Sequence, residues 1–272
     1  MNNFDFELFK RLSIFLNDKP DIIKEHHVEL VSKSGLNNNY IAYLYLLRQF
    51  LDYDFDYSKI VKLENPKDYN TNSYYQDIKV SNKKYNNWTL KYAQYKPYEL
   101  FISNDFRLVD DTILPTLGYF EKPFKYIAVY EADRLWMSIT PNEINTMKDD
   151  INLANGNLLV AGLGLGYFPY MTSLKENVKS ITIVEKDKNV INLFNKVLAK
   201  QFKFIEKIKI INDDFINYIK NNKINDFDFI YVDIYHDVSD GLPLYKEILS
   251  IIGNNIKDKI HFWIEKTMKF YL

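Results

Sequence analysis

The fold is decided by two short stretches, Leu158-Leu-Val-Ala-Gly-Leu-Gly-Leu-Gly166 and Ile181-Thr-Ile-Val-Glu-Lys-Asp187. Each contains an apolar run that predicts a buried strand, over residues 157–161 and 180–184. The first run ends in glycines at alternate positions, and glycine allows positive φ and a close approach of the backbone to a ligand. The second run ends in an acid, Glu185. This layout predicts a strand, a turn, a helix and a second strand that pair in a parallel sheet.

The turn and the acid together indicate a site for an adenosine-containing ligand. An acid at the tip of the second strand accepts hydrogen bonds from ribose hydroxyls, which makes Glu185 the candidate ribose ligand. The glycine spacing is GxGxG, whereas dinucleotide enzymes have GxGxxG, and the lack of a following Gly-Lys-Ser/Thr excludes a P-loop for triphosphates. The structural alternative is a tight turn in a Rossmann-like domain that binds no ligand.

The turn at residues 162–166 resembles the first motif of class I S-adenosylmethionine-dependent methyltransferases, and Glu185 matches the ribose-binding acid of that family. The resemblance continues in chain order over residues 134–265. It implies an α/β fold with a Rossmann-like, doubly wound sheet, preceded by an N-terminal helical and β extension. It also implies S-adenosylmethionine as the cofactor.

Two later segments resemble the rest of the family's cofactor site: residues 209–215 resemble the third strand and the acidic residue after it, and residues 228–233 resemble the fourth strand ending in Asp233. In the family, a side chain after the third strand hydrogen-bonds the adenine amino group. Asp214 with Phe215 is the better match to that position and Asp213 is the alternative, while Asp214 also suits the N-cap of the next helix. The cofactor-binding residues implied by the resemblance are Gly162, Leu163, Gly164, Gly166, Glu185, Asp213, Asp214, Phe215 and Asp233.

The segment before the turn resembles the spermidine synthase branch of the same superfamily, because a predicted hairpin at residues 125–139 and a helix lead into the glycines. That branch has Asp where this chain has Leu165, and Asp-x-x-Asp after its fourth strand. Here Asp233 matches the first acid, but His236 occupies the second position and Asp237 lies one residue late. A cationic polyamine needs paired anions, so these departures favour methyl transfer over aminopropyl transfer.

Asp233 and His236 are the candidate catalytic residues. Both follow the presumed fourth strand, at the edge where ligands of open α/β sheets bind. A carboxylate or an imidazole there can remove a proton from an acceptor, and histidine titrates near neutral pH. The structural alternatives are a capping role for Asp233 and a surface position for His236.

Composition predicts a globular protein of one large domain or two small ones, with 272 residues, 47% of them hydrophobic. The absence of cysteine excludes disulfides and thiolate zinc sites, and we expect no metal site. No apolar run approaches the about eighteen residues of a membrane span, so no membrane association and a cytoplasmic location are expected. The net charge of −1 makes nucleic acid a less favoured partner without excluding it, and a small molecule the favoured substrate. A homodimer is compatible with this composition.

The chain divides into an N-terminal helical and β extension, residues 1–124, and a Rossmann-like S-adenosylmethionine-binding domain, residues 125–272. Helical spacing of apolar residues predicts helices at 4–16, 21–32 and 40–51. Residues 64–87 are predicted to be a long loop, and residues 108–124, with two prolines, to be irregular. After the presumed fifth strand at 259–265 we expect no further hairpin. Either the sheet has five strands, or the hairpin at 125–139 covers its edge.

The sequence therefore predicts an S-adenosylmethionine-dependent methyltransferase with an unidentified, small-molecule acceptor. A spermidine synthase-like aminopropyltransferase is the second hypothesis. A non-catalytic Rossmann-like module that binds adenosyl ligands is the third.

Overall fold

The computed structural model describes residues 5–85, 88–222, 224–253 and 256–272. These residues group into two compact units. The first unit comprises the described residues within 1–70, 92–127 and 140–145, and the second comprises those within 71–91, 128–139 and 146–272. The domain boundary that we predict between residues 124 and 125 stays a prediction.

The α-helices and strands of the described residues are numbered separately along the chain. The α-helices are α1 (Phe6–Asp18), α2 (Glu25–Val31), α3 (Asn39–Leu51), α4 (Pro66–Asn70), α5 (Ser73–Asp77), α6 (Pro141–Leu153), α7 (Tyr167–Ser173), α8 (Lys188–Leu193), α9 (Phe215–Asn221), α10 (Val238–Ile251) and α11 (Glu265–Lys269). The strands are β1 (Val61–Leu63), β2 (Lys83–Tyr85), β3 (Trp88–Tyr95), β4 (Phe101–Val109), β5 (Thr112–Tyr119), β6 (Phe124–Glu131), β7 (Arg134–Ser138), β8 (Gly156–Ala161), β9 (Val178–Glu185), β10 (Ile208–Asn212), β11 (Phe229–Val232) and β12 (Ile260–Phe262).

The second unit contains a parallel sheet with the strand order β10-β9-β8-β11-β12. Every neighbouring pair in it is parallel. The central strands carry buried apolar side chains on both faces, as is typical of parallel sheets. The first strand of the sheet, β8, lies at its centre. Strands β9 and β10 follow on one side of β8, and β11 and β12 lie on the other side. This order confirms the predicted Rossmann-like, doubly wound α/β fold, whose ligands bind beyond the carboxyl ends of the strands where the order reverses.

The parallel sheet has five strands in the described part of the chain, which is the first of the two arrangements that we predict for its edge. The predicted hairpin is confirmed as β6 and β7, but it belongs to another sheet with the order β2-β3-β6-β7. Strand β12 is shorter than predicted, because the chain turns after Phe262 into α11. Among the described residues, no helix has both the length and the apolar character that crossing a membrane requires.

The first unit packs α1 and α3 around a core with strands of the sheet β1-β5-β4. The predicted helices correspond to α1, α2 and α3 with shifted ends, and residues 1–4 lie outside the described part. The prediction that residues 108–124 are irregular is wrong, because they contain strand β5. Its Pro115 lies where the register with β4 shifts, between the pairs Leu114–Arg107 and Thr116–Asn104. Such an irregularity tolerates a residue without a backbone N–H.

The prediction of a long loop at residues 64–87 is also wrong, since α4, α5 and β2 lie there. Tyrosines order this polar segment. Tyr69, Tyr74 and Tyr75 are all buried, and each phenol has a hydroxyl that can bond a backbone or side-chain partner inside the protein. Residues 86 and 87 fall outside the described residues.

Candidate active site

The three glycines of the turn at residues 162–166 all have positive φ, with values of 89° for Gly162, 53° for Gly164 and 75° for Gly166. Their surroundings differ. A Cβ on Gly162 would overlap the carbonyl oxygen of Asp233, and one on Gly166 would press into the rings of Phe194 and Phe202. These two positions need glycine because the protein itself fills the space.

Gly164 differs from the other two glycines because its side-chain direction is almost open. The nearest atom to a Cβ there is the sulfur of Met137 on β7, at an ordinary contact distance of 3.5 Å. Packing inside the protein therefore does not explain a glycine at this position, although its positive φ of 53° favours one. The space over the turn at Gly164 is left open.

Glu185, at the end of β9, lies against this turn. Its Oε2 accepts the backbone N–H of Leu163 at 3.0 Å, and its Oε1 accepts the backbone N–H of Asp187 at 2.7 Å. Each carboxylate oxygen has a second lone pair, so both can still accept a ligand hydroxyl. The carboxylate is thus fixed at the carboxyl end of the sheet, beside the glycines.

The acidic pair after β10 continues the same edge. The N–H of Asp213 donates to the carbonyl oxygen of Glu185 at 3.2 Å, which places the ends of β9 and β10 side by side. Asp214 is the N-cap of α9, and its Oδ1 accepts the N–H of Asn217 at 3.1 Å. Phe215 is buried beside it. The capping role considered for Asp214 is therefore present, and the Asp213 carboxylate accepts the N–H of Asp214.

Asp233 follows β11 and is bonded to the end of β8 through its N–H, which donates to the carbonyl oxygen of Ala161 at 3.0 Å. Its side chain is half-buried. Burial raises the pKa of this carboxyl to about 7, because removing it from water disfavours the charged form. In the described part of the chain its carboxyl oxygens take part in no protein hydrogen bond or ion pair. A carboxyl that is close to half-ionised at neutral pH is suited to proton transfer.

His236 lies three residues further along and is exposed, with 61% of its side chain accessible. Its Nδ1 is 3.2 Å from Oδ2 of Asp240, in the first turn of α10. Its ring meets Trp136 of β7 edge-to-face, with 5.4 Å between the ring centres. Trp136 in turn packs against Trp88 at 5.5 Å. The alternative of a structural or surface histidine is compatible with this arrangement, because the ring is exposed and has defined neighbours.

The acid that lies one residue late relative to the Asp-x-x-Asp pattern has a structural role. Asp237 is the N-cap of α10 and accepts both the N–H and the hydroxyl of Ser239, each at 2.6 Å. Leu165, in place of the acid of the spermidine synthase turn, is buried with 3% exposed. Leu165 therefore supplies no anion for a polyamine, and one oxygen of the Asp237 carboxylate is used within the protein.

Contacts connect these residues around the open side of Gly164. Asp233 borders Gly162, His236 meets Trp136, and the neighbouring Met137 faces Gly164. The sequence-predicted residues all lie at the carboxyl edge of the parallel sheet, with Leu163 buried and bonded through its N–H to Glu185.

Met137 is an addition that sequence reasoning did not assign to the site, and it carries no local motif. Asp240 stands four residues after His236 in the sequence. Among the described residues, no group of three or more histidine and acidic side chains could hold a metal ion.

Residues 169–257 match the family model of the spermine/spermidine synthase domain. The match covers a third of the chain and includes Glu185, Asp214, Asp233 and His236. The predicted similarity to spermidine synthases is confirmed over these residues. No match was found among curated proteins.

Solved structures share limited similarity with the chain. Spermidine synthase from Thermotoga maritima is 15% identical over 48% of this chain and 50% of its own, with a TM-score of 0.34. TrmK of M. capricolum in complex with S-adenosyl-homocysteine is 18% identical over 43% and 48%, with a TM-score of 0.32. A spermidine synthase in complex with the transition-state analogue AdoDATO is 16% identical over 41% and 43%, with a TM-score of 0.31. The chain thus spans half or less of these proteins, and the fold rests on the strand order above.

Proposed function

We propose that this protein is an S-adenosylmethionine-dependent transferase, and that it transfers the methyl group to a small-molecule acceptor. The observation that carries the proposal is the Glu185 carboxylate, bonded to the N–H of Leu163 beside the open side of Gly164. A ribose acceptor and an unfilled space over a glycine turn suit an adenosyl ligand at the end of a Rossmann-like sheet.

The residues present fit such a ligand. Glu185 would accept the ribose hydroxyls, and the half-buried end of β10 with Asp213 or Asp214 would border the adenine. Gly164 leaves room for the remainder of the ligand. When bound, S-adenosylmethionine supplies a methyl group already activated on a sulfonium, so the protein mainly has to align the acceptor with it.

Asp233 and His236 supply the proton chemistry in this proposal. Asp233 lies beside Gly162, and its raised pKa leaves part of it unprotonated at neutral pH. His236 stands at the outer side of the same edge, against Trp136. Either group can take the proton of an acceptor as it attacks the methyl carbon.

Aminopropyl transfer is the second candidate, favoured by the match of residues 169–257 to the spermine/spermidine synthase domain. The buried Leu165 argues against it, because an uncharged side chain offers no anion to an amine, and Oδ1 of Asp237 is already used in capping α10. Methyl transfer therefore remains the first proposal.

The test is a calorimetric titration of the full chain with S-adenosylhomocysteine and S-adenosylmethionine. We expect both to bind at one site. Failure of both ligands to bind to a chain whose circular dichroism shows it folded would contradict the proposal.

A further inference from the structure

The proposed base His236 is held by a carboxylate to which the proposed chemistry gives no role. Asp240 accepts the backbone N–H groups of His236 and Asp237, at 3.1 Å and 2.9 Å, and its Oδ2 is 3.2 Å from Nδ1 of the His236 ring. On another side the ring meets Trp136. The imidazole is thus held by one element after β11 and one strand, β7.

The charge of Asp240 decides which nitrogen of the ring carries the proton. Burial acts to raise the pKa of Asp240, but hydrogen bonds from the backbone of Asp237 and His236 and from the His236 ring together hold it below its usual value. At neutral pH this carboxylate has no proton and can only accept. Nδ1 of His236 is therefore the donor, and in the neutral ring the free lone pair is on Nε2.

Asp237, the other acid next to the ring, is directed elsewhere. Its Oδ1 accepts the N–H and the hydroxyl of Ser239, and it caps α10. The two acids at the start of this helix thus have different partners: Asp237 accepts hydrogen bonds from Ser239, and Asp240 contacts the histidine ring.

We propose that Asp240 is a positioning residue that fixes His236 in its Nδ1–H tautomer and so makes Nε2 the proton acceptor of the reaction. The inference rests on the proposed function and narrows its acceptor to a hydroxyl or N–H compound. The acceptor atom forms a bond to the methyl carbon, the carbon–sulfur bond breaks with its electron pair going to sulfur, and the acceptor proton goes to Nε2.

The experiment measures the tautomer directly by nitrogen NMR of the full chain labelled on histidine nitrogens, at a pH where the ring is neutral. The chain has four histidines, and the His236 signals are those lost in His236→Gln. We expect a protonated Nδ1 and an unprotonated Nε2. In Asp240→Asn the amide group can donate to Nδ1, so the proton should move to Nε2.

Asp237→Asn is the matched control, because it changes an acid on the same turn that bonds Ser239 and not the ring. Its His236 signals should keep the pattern of the parent chain. A parent chain with the proton on Nε2 overturns the proposal, even if the Asp240 variant fails to fold. An unchanged tautomer in folded Asp240→Asn overturns it as well.

Titration of the same samples with S-adenosylhomocysteine separates this inference from the proposed function. The side-chain hydrogen bonds of Asp240 within the described chain go to residues 236 and 237. The affinity of the Asp240→Asn protein for S-adenosylhomocysteine should therefore equal that of the parent chain. If the parent chain binds S-adenosylhomocysteine but His236 carries its proton on Nε2, only the positioning role of Asp240 is contradicted. If His236 carries its proton on Nδ1 but the chain does not bind the ligand, the proposed function is contradicted, and with it the role of Nε2 as proton acceptor.

Discussion

The hydroxyl of Tyr74 donates a hydrogen bond to the backbone carbonyl oxygen of Leu165, across 2.6 Å. Tyr74 is fully buried on α5, and its ring packs edge-to-face on Tyr167 and Tyr170 at the start of α7. The glycine turn is therefore backed by a side chain from a segment far away in the sequence. A turn supported from behind presents its front to a ligand in one conformation, which lowers the entropy lost on binding.

Tyr74→Phe tests this support. The ring stays, but the carbonyl oxygen of Leu165 loses this donor in a buried place, which costs about 1–3 kcal/mol of unfolding free energy. Urea unfolding should show that loss, and S-adenosylhomocysteine should bind more weakly. Tyr45→Phe, at an exposed tyrosine of α3, is the control and should change neither. Equal stability of the two variants would show that the hydrogen bond does not hold the turn.

The glycines should respond differently to substitution. Gly164→Asn adds a side chain in the direction that is open, and asparagine tolerates the left-handed conformation at φ 53° better than other residues. We expect a folded protein that no longer binds S-adenosylhomocysteine, because the side chain occupies the ligand's space. Thermal unfolding and calorimetry measure the two effects separately.

Gly162→Ala is the contrast to that variant. Its Cβ would overlap the backbone oxygen of Asp233, which cannot rotate away. We expect a much lower unfolding temperature than for Gly164→Asn, although alanine is the smaller residue. Normal ligand binding by Gly164→Asn would mean that the turn is only structural.

Glu185→Ala tests the ribose contact. Hydrogen bonds to a charged group contribute about 1.5–3 kcal/mol, so affinity for S-adenosylhomocysteine should fall roughly ten- to over a hundred-fold. Asp187→Asn is the control, since Asp187 lies two residues on and caps α8 through the N–H of Asn189. Calorimetry should show weaker binding in Glu185→Ala and unchanged binding in Asp187→Asn. Unchanged affinity of Glu185→Ala would exclude Glu185 as the ribose ligand.

The parallel sheet and the positions of the candidate site residues at its edge were predictable from the sequence, because the signals are local. An apolar run followed by glycines or an acid marks each strand end, and carboxyl ends of parallel strands meet at one edge. The β5 strand and the segment around Tyr74 were not predictable in the same way. Strand β5 depends on an irregularity in its pairing with β4 that accommodates Pro115, and the segment around Tyr74 depends on a tyrosine hydroxyl that bonds a distant backbone group. The contact of Met137 with the Gly164 position likewise follows from tertiary packing alone.

The titration of Asp233 should make stability depend on pH. Its pKa rises from 3.8 to about 7 in the folded protein, so between these values the folded state holds a proton that the unfolded state has released. This bound proton favours the folded state. Its contribution to the free energy of unfolding is complete below the unfolded pKa of 3.8 and is lost as pH rises through about 7. Each pH unit in this window changes the free energy by at most about 1.4 kcal/mol. Asp233→Asn should remove this dependence. Unfolding temperatures of both proteins from pH 4 to pH 8 measure it, and parallel curves would contradict the raised pKa.

The last prediction separates the two transfer chemistries. Leu165 is buried where an acid would fix a transferred amine, and His236 stands where the second acid of a polyamine site would be. A donor that keeps its carboxylate should therefore bind better than decarboxylated S-adenosylmethionine, which carries more net positive charge.

We expect a preference of at least about tenfold for the carboxylated donor, or about 1.4 kcal/mol. The comparison should be made at two salt concentrations, because salt screens exposed charges and a preference set by them would shrink. Tighter binding of the decarboxylated donor, with release of methylthioadenosine that depends on putrescine, would reverse the order of the proposals. Asp233 and Asp237 would then be the acids to substitute. Under methyl transfer, in contrast, Asp237→Asn should weaken only the capping of α10, because its carboxylate bonds Ser239.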